Sequence, residues 1–145
     1  MAEEQISLVI FPVLYLGIII GLYELFVIHS DVGGYRGSRW IGHGLQSILF
    51  VVIALFITMN AAWAYSYFSF LNDIAIIKYP IALQIVVGML LMIKIHLVSA
   101  VVKGGYGYGM RMTWIHGLII GALIVIAPYI WPFIEPAAKG VLPGI

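Results

Sequence analysis

The chain has 145 residues, of which 63% are hydrophobic and 9% charged, with a formal net charge of +1. Soluble domains carry about 25% charged residues, so this composition excludes an ordinary soluble globule, and the dispersed, nearly balanced charge excludes a nucleic-acid-binding surface. Cysteine is absent, which rules out disulfides, thiolate metal sites and covalently attached c-type haem.

A helix needs about 20 apolar residues to cross a bilayer. Four windows reach that length, over residues 6–29, 43–70, 79–102 and 114–133. The runs are apolar on every side, whereas strands of a transmembrane barrel alternate over about ten residues. The expected fold is therefore all-α: one polytopic domain, residues 1–145, of four transmembrane helices. The opening Met-Ala-Glu-Glu-Gln is acidic, unlike the basic start of a cleaved signal peptide.

In chain order, the first span carries Pro12 near its start. Gly17, Gly21 and Glu24 follow on one helical face with Ile28, a small-residue stripe that lets another helix approach closely. A Gly-rich turn with Asp31, Arg36 and Arg39 leads to the second span, which opens on Gly42-His43-Gly44 and carries Gln46, Ser47, Thr58 and Asn60. Asn72-Asp73 mark the next turn. Pro80 starts the third span, a tolerated first-turn position, and Gln84, Gly88, Lys94, His96 and Ser99 lie along it. Residues 104–109 read Gly-Gly-Tyr-Gly-Tyr-Gly, a turn. The fourth span has Gly117 and Gly121 four apart, then Pro128 and Pro132, which predict a kink or an end near Ala127.

Two turn regions share an order of motifs. The first reads Ile28-His29, Gly33-Gly34-Tyr35, Trp40-Ile41, His43-Gly44-Leu45; the second reads Ile95-His96, Gly104-Gly105-Tyr106, Trp114-Ile115, His116-Gly117-Leu118. The pattern predicts two pseudo-repeated helical hairpins around an axis along the membrane normal. It places the first span across from the third and the second across from the fourth. His29 is thereby paired with His96, and His43 with His116.

Arg36, Arg39, Lys103 and Arg111 lie in the loops after spans one and three, against Lys78 and Lys139 on the other side. The positive-inside rule then predicts a multi-pass plasma-membrane protein with those two loops cytoplasmic and both termini outside. Trp40 and Trp114 would anchor the inner interface, and Trp63, Tyr65, Tyr67, Tyr129 and Trp131 the outer one.

Glu24 and Lys94 are the deepest charges, roughly 13–18 Å inside the loop charges at 1.5 Å per residue. Ionisable groups at that depth are unfavourable unless paired or hydrated, and the simplest expectation is that they pair with each other. The four histidines lie nearer the cytoplasmic side. Three devices suit them: b-type haem on paired His ligands, with propionates met by Arg36, Arg39 or Arg111; a transition-metal site of His29, His43, His96 and His116 with Asp31 or Glu24; or a proton relay. Helical phase separates the sets, because Glu24 and His29 stand about 140° apart and Lys94 and His96 about 200° apart. Asn60, Gln84 and Gln46 are expected to make interhelical hydrogen bonds.

The string from Gly21 to Asp31, Gly-Leu-Tyr-Glu-Leu-Phe-Val-Ile-His-Ser-Asp, with Thr58-Met59-Asn60 and Trp114-Ile115-His116, resembles small four-span membrane proteins of archaeal type. That resemblance implies the fold and brings no activity. Gly21-Leu22-Tyr23 through His29, with Lys94 and His96, is also similar to four-helix haem-associated membrane oxidoreductases of the protoporphyrinogen-oxidase type. The early first-span histidine of those enzymes has no counterpart in this chain. The leading functional expectation is a membrane redox or electron-transfer module holding haem or a transition metal. The alternatives are a proton- or ion-conducting oligomer and an accessory subunit of a larger membrane complex. For any of them, a bundle this small is expected to self-associate or to dock into a complex.

Overall fold

A computed structural model describes residues 7–31, 39–102 and 114–141. Among them the chain is all-helical: α1 Phe11–Asp31, α2 Arg39–Met59, α3 Ala61–Tyr67, a 3-10 turn Ser69–Asn72, α4 Pro80–Val102 and α5 Trp114–Val141. α1 packs chiefly on α2 and α4 on α5, giving two hairpins. α2 also touches both α4 and α5, while α1 meets α5 more lightly. The four long helices therefore stand at the corners of a square, with α2 and α5 meeting across its centre and α1 and α4 at far corners.

The outward faces are apolar. Ile18, Leu22 and Phe26 on α1, Leu45 and Leu49 on α2, Met89, Leu90 and Leu97 on α4, and Ile115, Leu118 and Phe133 on α5 are all exposed. A water-facing surface does not carry such a continuous apolar belt, whereas a lipid-facing one does. By length and composition, Pro80–Leu97 and Trp114–Val141 can cross a membrane. A third span is formed if Gly44–Met59 and Ala61–Tyr67 are taken together across their bend of 86°. The described part of α1 gives a shorter apolar helix, Phe11–Val27.

Glycines bring the helices of each hairpin together. A Cβ on Gly17 would lie 2.7 Å from Val52 Cγ2, and one on Gly21 2.9 Å from Ile48 Cγ1. On the other hairpin, Cβ atoms on Gly88 and Gly121 would each lie 2.8 Å from the other residue's carbonyl oxygen. Backbone thus meets backbone, which only glycine permits at this separation.

Two features depart from the sequence expectation. The 43–70 window is not one straight span, because the helix breaks at Asn60 (φ −117°, ψ 43°). Its side chain is taken up by the chain just ahead of α1: Oδ1 accepts from Val9 N at 2.7 Å, and Nδ2 donates to Val9 O at 3.2 Å. α5, in turn, does not end near Ala127 or at Phe133 but continues through Pro128, Pro132 and Pro136 to Val141. Ala127, Trp131 and Ala138 are buried along this part of α5. Trp131 meets Phe11 and Tyr15 edge-on, at centroid separations of 5.6 and 5.8 Å, tying α5 to α1 at the Asn60 end of the bundle.

Candidate functional site

At the opposite end, Glu24 and His116 meet. Gly17 and Gly21 press α1 against α2, so the next turn of α1 carries Glu24 into the bundle rather than along its surface. On α5, Gly117 lies against Met92 of α4, with a built Cβ 3.2 Å from the Met92 carbonyl oxygen. That contact seats the first turn of α5 deep between its neighbours. His116 Nε2 then lies 2.8 Å from Glu24 Oε1, and both side chains have zero exposure. Tyr23 lies beside His116, its ring centroid 5.7 Å away.

The contact needs one hydrogen. Either a protonated carboxyl or an imidazole N–H can supply it. A carboxylate and an imidazole are also the two side chains best suited to proton transfer near neutral pH.

Sequence reasoning expected Lys94 beside Glu24. His116 lies beside Glu24, and Lys94 Nζ lies over the face of Phe50 on α2, 4.7 Å from the ring centroid. A cation on an aromatic face is a favourable arrangement away from water.

His96 stacks on Trp114, with ring centroids 3.9 Å apart and an interplanar angle of 17°. Its Nδ1 is shielded and has no hydrogen-bond partner among the described residues. The side chains of His29, Asp31 and His43 lie outside the described residues, and with them the expected pairs His29–His96 and His43–His116. Among the described residues, no group of three or more His, Cys, Asp or Glu side chains converges on a point where a metal ion would fit.

A second polar layer occupies the Asn60 end. Gln84 Nε2 donates to the Thr58 carbonyl at 3.1 Å, and Tyr129 OH donates to Gln84 Oε1 at 2.8 Å, so α2, α4 and α5 are joined through one amide. Gln84, Thr58 and Asn60 are all buried. Tyr129 reads in sequence as an interfacial anchor, and no spacing marks it as the partner of Gln84, which lies 45 residues away. Searches against protein-family models, curated proteins and solved structures give no match to this chain.

Proposed function

We propose that the chain is an integral membrane protein of four spans in which the Glu24–His116 pair takes up and releases a proton, making the bundle a small proton-translocating module. The observation that carries this reading is the 2.8 Å contact between two fully buried titratable side chains. Ionisable groups within a membrane bundle are a functional candidate by default. The four-span assignment draws on the lengths of α1, α2, α4 and α5, at 21, 21, 23 and 28 residues, each at least the roughly 20 residues that cross a bilayer core. The loop charges orient the His116 end toward the cytoplasm and both termini outside.

The test is proton flux into liposomes loaded with a pH-sensitive dye. The purified protein is expected to give pH-dependent flux, and Glu24→Gln, which keeps shape and removes the titration, to abolish it. A folded Glu24→Gln protein with unchanged flux would refute the reading.

A second reading, haem b or a transition metal bound for redox work, is favoured by one observation: His96 Nδ1 makes no hydrogen bond among the described residues. His96 with His29 is the better ligand pair for it, since His116 Nε2 is engaged by Glu24. A Soret band or stoichiometric metal in the purified protein, lost in His96→Ala, would support it. Colourless, metal-free and stable protein would sink it.

A further inference from the structure

Two buried polar layers lie at the two ends of the bundle, and an apolar layer separates them on all four helices. On α2, residues 48–57 between Ser47 and Thr58 are all apolar. The same holds for 85–93 on α4 between Gln84 and Lys94, for 117–127 on α5 between His116 and Pro128, and for 16–22 on α1 between Tyr15 and Tyr23. The centre of the layer is fully closed: Val51, Leu55, Ile120 and Ile124 have zero exposure. They lie on α2 and α5, the helices that meet across the middle of the square. Leu16 and Ile20 of α1 and Leu91 and Ile95 of α4 bury against them.

We infer that Val51, Leu55, Ile120 and Ile124 form a dry barrier that keeps the Glu24–His116 pair from exchanging protons with the Asn60 end of the bundle. The inference rests on the proton-exchange reading and gives it a direction and a gate. A proton crosses protein along waters or titratable groups. From Ser47 to Thr58 the layer is about 16 Å deep, and it offers neither. A buried water needs two to four polar partners, and an apolar constriction excludes water by dewetting. The amide groups beyond it are turned on one another, Gln84 to Thr58 and Tyr129, and Asn60 to Val9. Flux through the wild-type bundle is then limited by how often this layer opens, and the pair equilibrates with the His116 end alone while it is shut.

The experiment places a polar group in the layer and measures the same dye-reported flux. Val51→Thr keeps the side-chain volume and adds a hydroxyl; Leu55→Asn is the stronger version, and Val51→Ala controls for lost volume without polarity. Val51→Thr is expected to raise proton flux on the order of tenfold, and Val51→Ala to leave it near wild type. Adding Glu24→Gln to Val51→Thr is expected to return flux to background. Folded Val51→Thr and Leu55→Asn proteins at the wild-type rate would overturn the barrier while leaving the proton-exchange reading intact. Raised flux that survives Glu24→Gln would support the barrier and overturn the role of the pair.

Discussion

The closest approach between α4 and α5 supplies the sharpest stability prediction. A Cβ on Gly88 would lie 2.8 Å from Gly121 O and 2.7 Å from Val125 Cγ2, whereas ordinary contact begins near 3.4 Å. Val125 is a side chain and has some room to turn, but a helix carbonyl is fixed by its own hydrogen bonds. Gly88→Ala must therefore push the two helices apart by about 0.6 Å, a gap that forfeits a quarter to a half of each dispersion contact across the seam. Overpacking of this kind costs about 1–3 kcal/mol, against about 0.5–1 kcal/mol gained by replacing a helical glycine with alanine. The net expectation is a loss of roughly 1–2 kcal/mol. Gly42 is the internal control, since a Cβ there meets nothing within 4 Å, and Gly42→Ala should stabilise by about 0.5–1 kcal/mol. Because Gly88 and Gly121 obstruct each other reciprocally, Gly88→Ala with Gly121→Ala should cost less than the sum of the two. Equilibrium unfolding in mixed micelles measures all four proteins. Equal stability of Gly88→Ala and Gly42→Ala, or strict additivity of the pair, would show that the seam does not pack as described.

The Glu24–His116 contact should show strong coupling in a double-mutant cycle. Glu24→Leu and His116→Leu each remove the 2.8 Å contact, a loss of about 3–5 kcal/mol for one partner of a buried pair, and the double variant should lose less than their sum. Additive losses would mean that the two groups do not act as a unit. Asn60→Ala removes both bonds to Val9 and should cost about 1–3 kcal/mol, with faster hydrogen exchange at the Val9 amide; unchanged exchange there would refute the clamp.

The helices themselves were legible because long apolar runs admit few alternatives, and the burial of Glu24, Gln84 and Asn60 followed from their depth in those runs. The partners were not. Glu24 meets His116, 92 residues away, and a contact between helices so far apart in sequence leaves no local signature. Asn60 breaks α2 through bonds to a residue 51 positions earlier, so a rule based on neighbours reads straight through it. Local chemistry at the prolines of α5 predicted a kink or an end near Ala127, and the helix runs on to Val141 with Ala127, Trp131 and Ala138 buried. Lys94 lies over Phe50, one of three aromatic residues along α2, and nothing local singles that residue out.

The dense packing inside each hairpin and the exposed stretch between them bear on how the protein is made. α1 closes on α2 and α4 on α5, so each pair can bury its glycine seam as soon as both of its helices have been inserted. Lateral docking of two such pairs would then assemble the bundle and bring Glu24 to His116. Residues 72–76, which join the halves, are exposed. A gene cut within them and co-expressed as two fragments should give a reassembled, functional bundle.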